Sequence, residues 1–130
     1  MMKQGEIFEK YFDVSDEVHK AFTDIFKDKN PLHTDEQYAK SKGFEGRVMH
    51  GNILGGFLSY FIGECLLEKN VIIHSESIKF RRPVYLHDRL KLVGEVEEIF
   101  ESVKTIDIKF YFENQNNIKV ASGTVQISNI

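Results

Sequence analysis

Gly51-Asn52-Ile53-Leu54-Gly55-Gly56-Phe57-Leu58-Ser59-Tyr60-Phe61-Ile62-Gly63-Glu64-Cys65-Leu66-Leu67-Glu68 is the most hydrophobic stretch of the chain. Ile53, Leu54, Phe57, Leu58, Phe61, Ile62, Cys65 and Leu66 recur at helical spacing and form a wide apolar stripe, so the stretch reads as one long helix. It falls short of the ~20 apolar residues of a membrane span. It also carries Asn52 and Glu64, which favours a buried central helix. Beyond it the apolar period drops to two. Residues 72–81 open a set of strands. Leu90, Leu92 and Val96 alternate with Arg89, Lys91 and Glu95. Ile106, Ile108, Phe110 and Phe112 alternate with Thr105, Asp107, Lys109 and Tyr111, one face dry and one wet. Residues 114–117 (Asn-Gln-Asn-Asn) read as a turn into a last strand at 118–127. Short turns between strands imply an antiparallel meander. An apolar helix and a sheet with one dry face imply an α+β domain with the helix laid on the sheet.

Toward the N-terminus, residues 6–14 read as an extended entry strand. Ser15 is placed as a helix N-cap, with Asp16 and Glu17 in the first turn and Val18, Ala21, Phe22, Ile25 and Phe26 on one apolar face. Pro31 is expected to stop that helix. Thr34 and Gln37 match a capping box for the next one, which ends at Lys40 and Lys42 with Gly43 as its stop. With 130 residues, the chain reads as a single domain over 1–130, long enough to bury a core without disulfide or metal. The lone Cys65 fits a reducing compartment. Residues 1–10 are polar and of mixed charge rather than leader-like, and a cytoplasmic location is expected. A net charge of −3 argues against a nucleic-acid backbone binder. A hydrophobic fraction of 42% with 11 Phe argues against disorder.

Two segments carry candidate chemistry. In Asp28-Lys29-Asn30-Pro31-Leu32-His33 a carboxylate and an imidazole lie five residues apart across a proline-stiffened connection. Such a pair can hold and activate one water. It also suits plain structural roles, Asp28 closing a turn and His33 sitting on the surface before a helix cap. In Val48-Met49-His50-Gly51-Asn52 the long helix begins, where unpaired N–H groups attract negative charge. The N–H of Gly51 is a candidate oxyanion donor, or Gly51 serves only a tight entry turn. Gly51, Gly55, Ser59 and Gly63 form a stripe of small residues every fourth position. It admits a second helix, the sheet or an extended ligand. The spacing of Asp28, His33, Asp35 and His50 matches no zinc or calcium pattern, so no metal is expected. Ser59 lacks a nucleophile elbow and Cys65 sits on the core stripe. Lys79, Arg81 and Arg82 read as the solvent face of a strand. His19, His74 and His87 have no constellation around them.

Together these residues resemble a known family. Asp28 to His33 matches D-x-N-P-x-H, continued by Asp35, Ala39, Phe44 and Val48-Met49-His50-Gly51, and is similar to the hydratase signature of the MaoC-like, (R)-specific enoyl-CoA hydratases. Phe80-Arg81-Arg82-Pro83-Val84, followed by Asp88, resembles that family's sheet motif, except that His87 stands where glycine is usual. The resemblance implies a hot-dog fold, a long central helix wrapped by a curved antiparallel sheet. It implies a homodimer with active sites at or near the interface, no cofactor, and an acyl thioester substrate carried by CoA or acyl carrier protein. The implied reaction is reversible hydration of a trans-2-enoyl thioester to the (R)-3-hydroxyacyl thioester. Asp28 and His33 take the catalytic positions, the Gly51 N–H polarises the thioester carbonyl, and Asn30, His50, Ser59 and Phe57 fall in substrate-binding positions. Phe57, Leu58, Phe61 and Ile62 are candidates for the acyl tunnel wall. The rival readings are a hot-dog acyl-thioesterase and a non-catalytic acyl-CoA-binding module. The Asp28/His33 pair favours hydration over both.

Overall fold

A computed structural model describes residues 2–130; Met1, included in the single-domain reading, lies outside the described residues. The elements, in chain order, are β1 (Ile7–Asp13), α1 (Asp16–Phe26), α2 (Pro31–Thr34), α3 (Glu36–Ser41), α4 (Asn52–Tyr60), β2 (Val71–Phe80), β3 (Arg89–Phe100), β4 (Thr105–Glu113) and β5 (Lys119–Asn129). The strands form one five-stranded antiparallel sheet in the order β1-β3-β4-β5-β2. The meander expected from the turns holds for β3-β4-β5 alone. β2 crosses to the far edge and pairs with β5, so the connection from β2 to β3 spans the sheet.

The dry face is the one the alternation marks. Ile106, Ile108, Phe110 and Phe112 are all buried, and so are Leu90, Leu92 and Val96. Against them pack Ile53, Leu54, Leu58, Phe61, Ile62 and Leu66 from the central helical segment. Register shifts at Val96/Glu98, Ile73/Ser75 and Phe112/Glu113 break the ladders. Bulges of this kind bend a sheet, which lets it curl around a helix. This is the hot-dog arrangement.

Several boundaries differ from the sequence reading. The long helix does not run unbroken to residue 68. α4 ends at Tyr60, a π-helical turn covers Phe61–Cys65, and Leu66 is extended. The wider turn keeps Phe61, Ile62 and Leu66 on the sheet side, which an apolar pattern alone does not separate from a regular helix. The helix is also buried on one side only: Gly56, Ser59 and Tyr60 are exposed on the other. Ser15 does cap α1, its Oγ accepting from the Val18 N–H at 3.2 Å. Lys27, left-handed at φ 59°, ends that helix, whereas Pro31 starts α2 as its first residue. Because α2 takes residues 31–34, the next cap moves by one. Asp35, not Thr34, caps α3 by accepting from the Tyr38 N–H at 3.0 Å, and the Thr34 hydroxyl donates back to the Lys29 and Asn30 carbonyls.

Candidate active site

The loop after α1 is built by its own side chains. Asp28 Oδ1 accepts from the Asn30 N–H, and Asn30 Oδ1 accepts from the Leu32 N–H at 2.9 Å, capping α2. Pro31 follows at the first helical position, where its missing N–H costs nothing. The Asn30 Oδ1 is therefore used within the loop, and Asn30 lines neither of the cavities beside Asp28 and His33. The single turn of α2 brings His33 back toward Asp28, with Nε2 of the imidazole 3.8 Å from Oδ2 of the carboxylate.

Three further bonds set the orientation. Nδ1–H of His33 donates to the Val48 carbonyl at 2.7 Å. A carbonyl only accepts, so Nδ1 carries a proton, and Nε2 is the nitrogen on which the ring can exchange one. Nε2–H of His50 donates to the Asp28 carbonyl at 2.9 Å, and the His50 ring packs on that of His33 with centroids 4.1 Å apart. Nε2–H of His19 donates to the His33 carbonyl at 2.9 Å. Three imidazoles from α1, α2 and the start of α4 thus each hold one backbone carbonyl of the site.

His50 is only 3% exposed and packs against Phe22 as well as His33. Burial holds its imidazole below the ordinary histidine range; the bond to the Asp28 carbonyl opposes this only in part. His50 is neutral at pH 7, and its Nδ1 has no hydrogen-bond partner among the described residues. It lies beneath the pair and lines neither of the two cavities beside it, where the resemblance implies a substrate contact.

The second motif places the first. Val48 forms an antiparallel bridge with Tyr85 and its N–H donates to the Leu32 carbonyl at 3.0 Å, while the Met49 N–H donates to the Val84 carbonyl at 2.7 Å. Buried Asp88 holds that connection, accepting from the Tyr85 N–H and from the Gln115 side chain, both at 2.9 Å. Gly51 follows directly. A Cβ there would meet the Phe80 ring at 3.0 Å, so glycine lets the β2 end close over the helix start. The N–H groups of Gly51 and Asn52 precede the first turn and have no helical carbonyl to bond.

Two cavities flank the pair. One, of about 400 Å³, is lined by His33, Gly51, Phe80, Arg81 and Arg82. The other is an apolar groove of about 630 Å³ between α1 and α4, lined by Asp28, Phe22, Ile25, Phe26 and Phe57. Of the expected site residues, Asp28, His33, His50 and Gly51 come together, and Phe57 faces the groove. Leu58, Phe61 and Ile62 face the sheet and are buried in the core, so they do not bound a tunnel on the groove side. Ser59 is exposed on the far side of α4 and lines neither cavity.

His19 is the residue that sequence reasoning passed over. Its bond to His33 spans fourteen residues, and no spacing signals it. Arg81 and Arg82 are exposed as expected and, in addition, border the His33 cavity. Asp28, His33 and His50 have ligand atoms within 4.8 Å of one another. A tetrahedral metal with bonds of ~2.1 Å wants them about 3.4 Å apart. The His33 and His50 rings stack at a 32° tilt, so their in-plane lone pairs do not converge on one ion. The trio suits proton transfer better than metal binding.

The model of the MaoC like domain matches residues 2–117 of the chain. A mitochondrial 3-hydroxyacyl-[acyl-carrier-protein] dehydratase of Arabidopsis thaliana is 29% identical over 95% of this chain and 75% of its own length. An (R)-specific enoyl-CoA hydratase of Rhodospirillum rubrum is 31% identical over 83% of this chain and 75% of its own length. Among solved structures, the unliganded R-hydratase PhaJ1 from Pseudomonas aeruginosa superposes with a TM-score of 0.90 at 27% identity, covering 98% of this chain and 82% of the other. A family match across most of the chain, with relatives of the hydro-lyase type and a shared hot-dog fold, makes this chain an enzyme of the MaoC-like domain family.

Proposed function

We propose that this enzyme reversibly adds water to trans-2-enoyl thioesters, forming (R)-3-hydroxyacyl thioesters, with Asp28 and His33 as its catalytic residues. The observation that carries the reading is the 3.8 Å gap between His33 Nε2 and Asp28 Oδ2. That gap is too long for a direct hydrogen bond and suits one water touching both groups. The fixed Nδ1–H of His33 leaves Nε2 free to accept a proton from that water as its oxygen bonds to C3. The C2–C3 π electrons then pass toward the thioester oxygen, where the Gly51 N–H stabilises the enolate. Collapse of the enolate takes a proton at C2 from the Asp28/His33 pair, which regenerates the neutral imidazole and the carboxylate. The sum is one water added, hydroxyl at C3 and hydrogen at C2.

The groove beside Asp28 supports an acyl site and the cavity beside His33, with Arg81 and Arg82 at its rim, supports entry of the thioester carrier. A homodimer is the proposed functional unit, because the groove side of α1 and the outer face of α4 stay open in one chain. Among the described residues no helix is long and apolar enough to cross a membrane. With a single cysteine, this fits work in a reducing compartment such as the cytoplasm.

Loss of enoyl absorbance from crotonyl-CoA tests the reading. Wild type is expected to consume it, and Asp28→Asn to lose roughly 10²-fold or more in kcat, within the range for removing one acid–base group. Equal rates for the two proteins overturn it. Release of free thiol without loss of the double bond identifies a thioesterase instead.

A further inference from the structure

We infer that His19 is a positioning residue for the Asp28/His33 pair, acting through the main-chain carbonyl of His33. The inference rests on the hydratase reading above and goes beyond it, since nothing in the signature motif includes a residue of α1. His19 closes the first turn of α1, a helix fixed at its start by the Ser15 cap and at its end by the left-handed Lys27. Its own carbonyl accepts from the buried Thr23 hydroxyl at 2.8 Å. From this anchored backbone, Nε2–H reaches the His33 carbonyl at 2.9 Å.

That carbonyl needs a donor. α2 is a single turn of four residues, Pro31–Thr34. A helix this short has no stability of its own, and carbonyls near its C-terminus have no following turn to supply N–H groups. Its orientation is therefore set by what holds it from outside. Two bonds do so at His33: the ring bond from Nδ1–H to Val48, and the bond from His19 to the carbonyl. One fixes how the ring turns; both are needed to fix where Nε2 lies. If the His19 bond is lost, α2 is left tethered at the Leu32 carbonyl by the Val48 N–H and can turn about that point, which loosens both the ring's bond to Val48 and the distance from Nε2 to Asp28. His19 lines neither flanking cavity, so it acts on the proton-transfer step and not on substrate binding. The bond needs only Nε2–H, which the imidazole has in this tautomer and in the protonated form alike. His33 and His50 are the titratable residues against it, and neither has to change state for the bond to persist.

The test compares His19→Phe, which keeps a planar ring and removes the donor, with His19→Gln, which keeps an amide N–H at comparable reach. Crotonyl-CoA hydration is measured for kcat and KM, and the imidazole 15N–1H spectrum reports the His33 tautomer. His19→Phe is expected to lose roughly tenfold or more in kcat with KM within about twofold, the pattern of a misplaced catalytic group. His19→Gln should recover most of the rate. The His33 ring should show a single Nδ1–H tautomer in wild type and His19→Gln and a mixture in His19→Phe. Unchanged kcat in His19→Phe, or the same loss in both variants, overturns the assignment. Should His19→Phe not fold, His19→Asn, too short to reach the carbonyl, takes its place, and equal rates for Asn and Gln overturn it. A wild type without hydratase activity defeats the hydratase reading alone. The spectra still decide His19, and an unperturbed His33 tautomer in the donor-less variant overturns its role.

Discussion

His87 occupies a backbone position that strains it. It follows the Tyr85 bridge with φ 74°, its N–H donates to the Val14 carbonyl, and the next residue is the buried Asp88. An L side chain in this left-handed region costs roughly 1–2 kcal/mol. The His87 side chain offers little in return, since it is 67% exposed and 4.0 Å from the still more exposed Asp16. His87→Gly is therefore expected to stabilise the fold by about 1 kcal/mol after the greater unfolded-state freedom of glycine is subtracted. In thermal unfolding this is a rise of about 3 °C in Tm, with kcat unchanged because the turn lies behind the site. A lower Tm would mean that the His87 ring makes a contact worth more than the strain. At this scale much was legible. The five-residue separation of Asp28 and His33, the Asn30 and Pro31 between them and the glycine at the start of α4 are local patterns. His19 was not legible, because its role is a bond between a helix face and a carbonyl fourteen residues on. His50 was half legible: its place next to Gly51 marked it, but its burial beneath the pair depends on how α1 packs.

The elements follow the apolar periods closely and the boundaries less so. β3, β4 and β5 sit where alternation placed them, and the core residues of α4 are those of the apolar stripe. What the periods could not show is which strands neighbour one another. β2 reads as an ordinary strand, yet its pairing with β5 rests on a feature of the partner. Gly123 lies opposite Ile78, and a Cβ on it would fall 1.8 Å from the Ser77 carbonyl oxygen and 3.0 Å from the Ile78 Cα. Both atoms are backbone, so neither can rotate away. Gly123→Ala is expected to cost about 2–3 kcal/mol in urea unfolding, at the upper end of what overpacking costs, by forcing β2 off the sheet. Gly94→Ala serves as the contrast. There the close atoms belong to the Phe61 and Ile108 side chains. If Gly123→Ala unfolds at wild-type urea concentration, the β2–β5 contact is looser than described and the edge is not held by this glycine. The consequence reaches the site, because β2 delivers Phe80 over Gly51 and leads into the Arg81–Asp88 connection that seats Met49.

Taken as a whole, one chain exposes 7949 Å², against about 7,100 Å² expected for a folded monomer of 15.1 kDa. The excess is placed unevenly. Ile25 and Phe26 of α1 are 70% and 66% exposed beside the groove that holds Asp28, and Tyr60 and Leu67 are open at the far end of the central helical segment. Along the same segment, a Cβ added at Gly55 or Gly63 would meet nothing within 4 Å, so beyond Gly51, which packs on Phe80 of β2, the small-residue stripe faces neither the sheet nor another helix of its own chain. β2 is an unpaired sheet edge with Ile72 half exposed, and unprotected edges of this kind favour pairing with another strand. Its C-terminal end meets the start of α4 where Phe80 packs on Gly51, so edge, stripe and site lie on one side of the molecule. A second copy of the chain covering that side would close the Asp28 groove and shield proton transfer from bulk water. Light scattering at micromolar concentration should therefore give about twice the chain mass. Ile72→Lys, which sets a charge on the edge, should shift the protein toward monomer and lower kcat/KM in parallel, with rate and dimer fraction rising together as concentration increases. A wild-type monomer that hydrates crotonyl-CoA at full rate would show that one chain encloses its substrate unaided, and would return the open groove and stripe to ordinary surface.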